Sequence, residues 1–248
     1  MEKSFQSVSM FPGWANAEAW ISGIVERFGC KEVLEIGSGA NPTLSTDALR
    51  RLRIDRYTTN DICEAELKKA PAGYETLCCD FTDPQLAIEE RFDLVCSRMV
   101  NEHVQDGQKY YANIFRALRP GGITAHAFST LYSFPFVVNR VMPEVVSSFL
   151  LNTFTPRDRH QHEKFRAYYS WSRGPTAKQV SRFESLGFEV LSYTGYFGHT
   201  YYRRKLKPLH WLHQRKSAWL LRYPTAHLTS YAAVVLRKPS VPSSAEVW

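Results

Sequence analysis

The chain has 248 residues, of which 44% are hydrophobic and 14% aromatic, and it carries a formal net charge of +7. A chain of this length can bury one substantial core, and no apolar run is long enough to predict a membrane-spanning helix. The five cysteines lack the close pairs of zinc sites and disulfide frameworks, and the N-terminus lacks the pattern of a signal peptide. We therefore expect reduced thiols, no metal centre and a cytoplasmic protein.

The charge is distributed unevenly along the chain. Residues 1–125 carry a net charge of −4, whereas residues 126–248 carry +11. Such a basic half predicts either an anionic partner or a solvated basic surface.

Helices and strands alternate through the first half of the predicted structure. A helix over 16–28 has apolar residues at helical spacing and stops before a glycine. The elements that follow are strands over 31–36, 56–62, 75–80, 92–97 and 123–128, with helices over 44–52 and 108–118. This alternation is typical of a mostly parallel sheet that helices cover on both faces.

The pattern changes after residue 130. Residues 131–174 are aromatic and basic and contain a predicted helix over 143–151. The remaining predicted elements are a helix over 176–186 and strands over 188–193 and 229–236. A tail rich in proline and serine is predicted to be disordered.

The first strand leads directly into a glycine turn, Gly37-Ser38-Gly39. Glycines there let the backbone approach a ligand closely and adopt φ angles that are costly for other residues. Asp61 ends the next predicted strand, and a glycine turn followed by an acid-tipped strand is an arrangement that holds a nucleoside. Pro42 stands where dinucleotide-binding turns have a third glycine, which favours a ligand without a diphosphate over NAD.

Acids lie near the carboxyl ends of three successive strands, where parallel sheets bind their ligands. Glu35 is placed to receive an ammonium group near the glycine turn, and Asp61 to accept both hydroxyls of a ribose. Asp80 can accept from an exocyclic amine, while Ile62 and Phe81 offer apolar surfaces to an adenine ring. Three acids in this arrangement favour a ligand site over a purely structural role.

This set of motifs resembles that of the class I S-adenosylmethionine-dependent methyltransferases, especially those that act on small molecules. The segment 35–39 is similar to the first motif of that family, Asp61 to its ribose-binding acid, and 80–81 to its adenine-contacting pair. The segments 92–104 and 118–122 resemble its fourth-strand region and its Leu-Lys/Arg-Pro-Gly-Gly turn.

Together with the alternating elements, the resemblance implies an α/β fold: a doubly wound, mostly parallel, seven-stranded Rossmann-like sheet with an inserted substrate lid. It implies a single methyltransferase domain over 1–248. Its parts are a cofactor-binding core at 1–130, the lid at 131–175, the C-terminal part of the sheet at 176–238 with a basic insertion at 195–228, and a tail at 239–248. The implied cofactor is S-adenosyl-L-methionine. The residues predicted to bind it are Glu35, Gly37, Ser38, Gly39, Asp61, Ile62, Asp80, Phe81, Ser97 and Arg98.

Two histidines are candidates for a catalytic base. Methyl transfer removes positive charge from a sulfonium, so positioning and desolvation supply most of the acceleration. A base is needed only when the acceptor keeps its proton at neutral pH, as a hydroxyl does. His103, just past the fourth strand, is the first candidate, and His126, near the end of the fifth strand, is the second. A structural role for either histidine stays open.

Two basic and aromatic segments are candidates for recognising the acceptor. The residues predicted to bind it are Arg166, Tyr168, Tyr169 and Trp171. Guanidinium and aromatic groups suit an anionic or ring-bearing acceptor, and a packed insertion with a basic exterior is the alternative. The composition of residues 202–222 predicts either that their apolar side chains are buried on the domain or that they contact an anionic membrane surface or a lipid-linked substrate. Pro208 is expected to interrupt any single helix there.

We therefore expect an enzyme that methylates a small-molecule or lipid-linked acceptor, including an anionic one, with O-methylation favoured. The basic half of the chain leaves an RNA or DNA methyltransferase as an alternative. The segment after the fourth strand lacks the motif of amino-methylating DNA enzymes, which makes a nucleic-acid substrate the weaker hypothesis. A non-catalytic partner protein that binds S-adenosylmethionine is a further alternative, and peripheral contact with the inner face of a membrane stays open.

Overall fold

The computed structural model of this chain describes residues 2–7, 16–130, 166–198 and 207–240. The strands are β1 (Glu2–Ser7), β2 (Glu32–Ile36), β3 (Arg56–Asp61), β4 (Glu75–Cys78), β5 (Phe92–Arg98), β6 (Leu118–Ser129), β7 (Glu189–Phe197) and β8 (Tyr231–Arg237). The helices are α1 (Ala17–Phe28), α2 (Thr46–Leu52), α3 (Glu64–Leu67), α4 (Gly107–Ala117), α5 (Ala177–Ser185) and α6 (Lys207–Arg222). Short 3-10 helices lie at Asn101–His103 and Ala226–Leu228.

These strands form one sheet in the order β1-β7-β8-β6-β5-β2-β3-β4. Neighbouring strands are parallel except at β8, which runs antiparallel to both β6 and β7. The predicted α/β, mostly parallel, Rossmann-like sheet is confirmed. One more strand, β1, extends it by pairing in parallel with β7. The strand order reverses between β2 and β5, and the crevice outside their carboxyl ends is where such sheets bind ligands.

Parts of the predicted organisation lie outside the described residues. They are the helix predicted over 143–151, the lid up to residue 165, part of the basic insertion and the tail from residue 241.

Helices cover both faces of the sheet because successive residues of a strand point to opposite sides. Val33 of β2 packs in a layer with α1 and α2, whereas its neighbour Leu34 packs in a layer with α4 and α5. Both side chains are completely buried. The two layers fix the central strands, and with them the turns at the strand ends.

β6 is longer than the predicted strand because it includes the turn that was expected to precede it. Leu118 pairs with Phe92 and Ile123 pairs with Leu94, so the residues between form a bulge. Gly121 has a φ angle of +81° in this bulge, a conformation that suits glycine.

α6 begins at Lys207 and continues without a break to Arg222, and the residues before it, 199–206, lie outside the described ranges, so the interruption at Pro208 stays a prediction. Pro208 lies in the first turn, where a backbone N–H has no partner within the helix, and the missing donor therefore costs no hydrogen bond. The helix packs against β1 and β7 and buries Ser217 and Leu220. Within the described ranges, no helix combines the length and the apolar character needed to cross a membrane.

Asp93 fixes the beginning of β2 from the neighbouring strand β5. Its Oδ2 atom accepts from the backbone N–H groups of Lys31 at 2.9 Å and Glu32 at 2.8 Å. Its Oδ1 atom accepts from the Arg119 guanidinium at 2.9 Å. Burial by itself raises the pKa of Asp93, but these hydrogen bonds outweigh burial and the pKa is lowered.

Replacing Asp93 with alanine is expected to lower the free energy of unfolding by about 2 kcal/mol at neutral pH, because three donors lose a charged acceptor. A lowered folded-state pKa stabilises the fold above the unfolded-state pKa, and this contribution disappears as the pH falls through the folded-state pKa. The difference between wild type and Asp93→Ala should therefore shrink below about pH 4. Urea unfolding across this pH range measures the difference. A constant difference would contradict the account, and Glu89→Ala, which removes an exposed acid, is the control.

Candidate functional site at the strand ends

The glycine turn follows β2 and approaches two neighbours closely. Gly37 and Gly39 have φ angles of +68° and +48°, in the left-handed region that disfavours side chains. A Cβ atom on Gly37 would lie 2.4 Å from Cγ2 of Val100, and one on Gly39 would lie 3.1 Å from Oδ2 of Asp61. Neither position therefore accepts a side chain unless its neighbours move.

Ser38 lies between these glycines and is held by its backbone. Its N–H donates to the Asn60 carbonyl at 3.0 Å, and its carbonyl accepts from the Asn41 N–H at 2.9 Å. Its hydroxyl is buried and has no hydrogen-bond partner within the part of the chain that the structure describes. A buried hydroxyl in such a turn is suited to bind a polar ligand group that enters it.

The carboxylate of Glu35 is held inside the protein beside the turn. Thr43 donates to it from its backbone N–H, at 2.8 Å, and from its hydroxyl, while the Tyr57 hydroxyl donates at 2.7 Å. Burial raises the pKa of Glu35, and these donors together with the charge of Arg98 oppose the rise. The sequence analysis did not select Thr43 or Tyr57, although Thr43 lies just past the glycine motif.

A cavity beside Glu35 brings together three of the residues predicted to bind the cofactor. Glu35, Ser97 and Arg98 line it, and Trp20 of α1 forms another part of its wall. Arg98 ends β5, and its Nη2 atom lies 3.4 Å from the carbonyl oxygen of Asn41 beside the glycine turn. The cavity is small, and Glu35 and Arg98 place a carboxylate and a guanidinium group in its wall.

Asp61 and Ile62 lie at the end of β3, next to the glycine turn. Oδ1 of Asp61 accepts from the backbone N–H of Cys63 at 2.9 Å, and Oδ2 lies on the side of Gly39. Ile62 is 64% exposed. The end of β3 therefore presents a carboxylate oxygen and an accessible apolar side chain next to each other.

The two residues that follow β4 differ in accessibility. Asp80 is exposed, and its Oδ1 atom accepts from both the backbone N–H and the hydroxyl of Thr82. The ring of Phe81 is only 2% exposed and packs against Tyr110 of α4, with ring centroids 6.5 Å apart. The interpretation of this ring as an adenine surface is corrected, since it belongs to the core. Ile62 keeps that role as a candidate.

His126 lies inside the sheet, completely buried. Its Nε2 atom is 2.6 Å from the Thr124 hydroxyl, and its Nδ1 atom is 2.6 Å from the Ser97 hydroxyl. Since the Thr124 hydroxyl donates to the Val95 carbonyl, it accepts from Nε2–H, and the Ser97 hydroxyl beside Nδ1 donates to the amide oxygen of Asn101 at 2.7 Å. Burial lowers the pKa of His126 to about 3. A neutral, enclosed ring with both nitrogens occupied does not reach a substrate, so its interpretation as the second base is corrected to a structural role.

His103 lies in the short helix after β5. Its Nδ1 atom is 3.1 Å from the carbonyl oxygen of Arg166. A carbonyl only accepts hydrogen bonds, so Nδ1 carries a proton and the lone pair of the neutral ring lies on Nε2. The backbone N–H groups of Tyr168 and Tyr169 both donate to the Glu102 carbonyl, at 2.8 and 3.0 Å. These contacts hold Arg166 and Tyr168 beside the candidate base.

Glu102 joins this segment to the sheet. Its buried carboxylate accepts from the backbone N–H of Ser129 at 3.3 Å and from the Ser129 hydroxyl at 2.8 Å. Burial raises the pKa of Glu102, and the nearby His103 opposes the rise. Glu102 therefore fixes the short helix that carries His103 at the end of β6, a role that its place in the sequence motif did not reveal.

The four residues predicted to bind the acceptor differ in their environments. Arg166 is exposed, and its guanidinium carbon lies 5.4 Å from the centroid of the Tyr168 ring. Tyr169 is 2% exposed, and Trp171 stacks on Tyr111 with centroids 5.7 Å apart. Tyr169 is thus corrected to a packing residue, while Trp171, which is partly exposed, stays a candidate with Arg166 and Tyr168.

The described ranges hold no group of three or more side chains that could ligate a metal ion. His160 and His162, which fall within the predicted lid, lie outside them.

Comparison with known proteins identifies a family for the part of the chain that builds this site. Residues 34–125 match the family described as a methyltransferase domain. No curated protein sequence matches the chain. The match covers the glycine turn, Asp61, His103 and the beginning of β6.

Solved structures with a similar fold include two S-adenosylmethionine-dependent methyltransferases. The one from Clostridium acetobutylicum is 12% identical, with a TM-score of 0.54 and coverage of 93% of this chain and 92% of that chain. The one from Archaeoglobus fulgidus is 14% identical, with a TM-score of 0.53 and coverage of 92% and 97%. The [4+2]-cyclase SpnF is also similar, at 16% identity, a TM-score of 0.52 and coverage of 96% and 88%.

These structural likenesses establish the fold, and the presence of a cyclase among them shows that the fold alone does not define a reaction. Residues 34–125, which build the site, therefore carry a methyltransferase domain, and the chain shares the fold of S-adenosylmethionine-dependent methyltransferases. Together these findings support an enzyme that uses S-adenosyl-L-methionine as its methyl donor.

Proposed function

We propose that this enzyme methylates a hydroxyl group on a small-molecule or lipid-linked acceptor. The observation that carries the proposal is the orientation of His103, whose Nδ1–H bonds to the Arg166 carbonyl. This bond places the proton on Nδ1, so that Nε2 is the nitrogen that carries the lone pair. An acceptor hydroxyl requires such a base, whereas an unprotonated amine does not.

The residues at the strand ends fit the methyl donor, which supplies an electrophilic methyl group when it is bound. In this proposal Asp61 accepts from both ribose hydroxyls, and Ile62 contacts the adenine. Arg98 binds the carboxylate of the amino acid portion, because it is the cation that lines the cavity beside the glycine turn. The buried Ser38 hydroxyl supplies a further polar contact in that turn.

Glu35 and Asp80 contribute in different ways. Three hydrogen-bond donors already hold the Glu35 carboxylate, so it completes the cavity wall and reaches an ammonium group through a water. Asp80 is exposed beyond β4 and is available to an exocyclic amine. Gly37 and Gly39 contribute by keeping the turn free of side chains.

The acceptor is held on the opposite side of His103 from the sheet. Arg166 and Tyr168 present a guanidinium group beside an aromatic ring, a pair that suits an acceptor with an anionic group. Nε2 of His103 would take the proton from the acceptor hydroxyl as the oxygen bonds to the methyl carbon, while the bond from that carbon to the donor sulfur breaks and S-adenosylhomocysteine leaves. Because Glu102 anchors the short helix to Ser129, the base keeps its position during this step.

A labelling experiment tests the proposed function. The purified enzyme is incubated with S-adenosylmethionine carrying a labelled methyl group and with pooled small-molecule and lipid extracts. We expect a labelled product in which mass analysis finds an O-methyl group, formed in equal amount with S-adenosylhomocysteine. Label found only on nitrogen, on carbon or in nucleic acid would contradict the proposal. Binding of the donor without release of S-adenosylhomocysteine would indicate a non-catalytic partner protein.

A further inference from the structure

The solvent-facing side of α6 carries a stripe of aromatic and cationic side chains. Trp211, Arg215 and Trp219 follow one another at intervals of four residues along one side of the helix, and Tyr223 comes directly after its last residue. The Arg215 guanidinium carbon lies 4.9 Å from the centroid of the Trp211 ring, and the ring centroids of Trp219 and Tyr223 are 5.5 Å apart. The stripe therefore consists of two contacting pairs.

This stripe is exposed although most of it is aromatic. Trp211 and Trp219 are each 57% exposed, and Leu212 beside them is 56% exposed. The opposite side of α6, with Ser217 and Leu220 both 1% exposed, packs on the sheet. Single exposed apolar residues are ordinary, but a contiguous set on one helix marks an interaction surface.

The charge of α6 indicates what this surface binds. The helix contains four cations and no acid, namely Lys207, Arg215, Lys216 and Arg222. It belongs to the half of the chain with a net charge of +11. Aromatic rings that lie at the level of lipid headgroups, between cations that pair with phosphates, are typical of helices bound in the plane of an anionic membrane surface.

Two exposed leucines favour a lipid surface over a single-stranded nucleic acid. Leu212 is accessible beside the aromatic stripe, and Leu221 is accessible elsewhere on the helix surface. Aliphatic side chains do not provide the flat platforms on which bases stack, whereas they readily enter the boundary between headgroups and acyl chains. α6 is also a protruding helix face rather than a groove that tracks a phosphate backbone.

α6 is connected to the same edge of the sheet as the methyl-transfer site. β7 and β6 both run antiparallel to β8, so their carboxyl ends lie at one edge. The chain leaves this edge at Phe197 and returns to it at Tyr231, with α6 between. The segment that contains α6 therefore begins and ends at the same edge of the sheet as the candidate site.

We propose that α6 docks the enzyme on membranes that contain anionic phospholipids. The helix lies in the plane of the interface with the rings of Trp211, Trp219 and Tyr223 among the headgroups. Arg215 and Arg222 lie against the lipid phosphates. This surface shares no residue with the proposed donor site, so the inference holds whichever atom of the acceptor is methylated.

Co-sedimentation with vesicles tests the aromatic part of the surface. Wild type should bind vesicles of equal parts phosphatidylglycerol and phosphatidylcholine, and not vesicles of phosphatidylcholine alone. Trp211→Ala combined with Trp219→Ala should weaken binding about tenfold or more, because the inserted rings are lost. Trp211→Phe combined with Trp219→Phe should retain most of it. All three proteins should bind S-adenosylmethionine equally, which shows that they are folded.

A charge-matched pair tests the electrostatic part. Arg215→Ala combined with Arg222→Ala should weaken binding to the anionic vesicles about 10- to 30-fold. Arg50→Ala combined with Arg51→Ala, which removes two exposed cations from α2, should change it little. Absent vesicle binding by wild type, or equal losses in both charge variants, would overturn the proposal. Self-association or RNA binding that the tryptophan changes abolish, without vesicle binding, would overturn it in favour of a second copy or RNA.

Discussion

Replacing Asp61 with alanine is expected to weaken the binding of S-adenosylmethionine by about 100-fold. The carboxylate is proposed to accept hydrogen bonds from two ribose hydroxyls, and two bonds to a charged group are together worth about 3 kcal/mol. A loss of that size corresponds to about two powers of ten in the dissociation constant. Isothermal titration calorimetry of the purified proteins with S-adenosylmethionine measures it directly.

The geometry of β3 explains why Asp61 has so large a predicted effect. The bond from the Cys63 N–H to Oδ1 fixes the side chain, so no entropy is lost in orienting it for the ligand. Oδ2 lies beside Gly39, where a side chain would crowd it. The ribose therefore meets a carboxylate that is already in position.

A matched variant separates this effect from a general loss of negative charge. Asp55→Ala removes an exposed acid at the amino end of the same strand, and its dissociation constant should stay close to that of wild type. Asp61→Asn should fall between wild type and Asp61→Ala, because an amide keeps one acceptor oxygen. Equal affinity of Asp61→Ala and wild type would refute the assignment of the ribose to this residue.

The proximity of the glycine turn to Asp61 was predictable because both signals lie close together in the sequence. A glycine turn after one strand and an acid after the next lie within a short stretch of chain, and parallel pairing brings Ile36 and Asn60 side by side. The turn, Asp61 and Ile62 follow from that pairing. The corresponding error is Phe81, whose burial depends on Tyr110 of α4, a contact that no local pattern contains.

The two histidines show more clearly that local sequence patterns do not predict contacts between distant elements. His103 and His126 were both predicted to lie near the end of a strand. In the structure His103 lies beside Arg166, whereas His126 is enclosed in the protein. The difference arises from side chains on other elements: Ser97 and Thr124 occupy both nitrogens of His126, whereas the Arg166 carbonyl orients His103. Sequence spacing alone does not reveal which neighbours complete such hydrogen bonds.

β1 and α6 were missed for two other reasons. β1 is a short strand, Glu2–Ser7, that pairs with β7 near the other end of the chain. Pro208 was predicted to interrupt a helix because the sequence does not show at which residue α6 begins. Once Pro208 lies in the first turn, the same residue is compatible with a continuous helix.

Replacing His103 with alanine is expected to lower the rate of methyl transfer by about 100- to 10,000-fold, the usual contribution of a general base. Binding of S-adenosylmethionine should be unaffected, since the residues assigned to the donor lie on β2, β3 and β5 and in their turns. The rate is measured under saturating donor with the hydroxyl acceptor that the labelling experiment identifies. A loss in turnover with unchanged donor affinity is the signature of a residue that acts in the chemical step.

Two further variants distinguish proton transfer from a structural role of His103. His103→Asn keeps a side-chain donor for the Arg166 carbonyl but has no basic nitrogen, so it should be as inactive as His103→Ala. Added imidazole should restore part of the activity of the alanine variant, because it supplies a base in the space that the ring leaves. His227→Ala, which alters an exposed histidine in the second 3-10 helix, should retain full activity. Full activity of His103→Asn would mean that the bond to Arg166, and not the base, is what the enzyme needs, since the asparagine preserves only that bond.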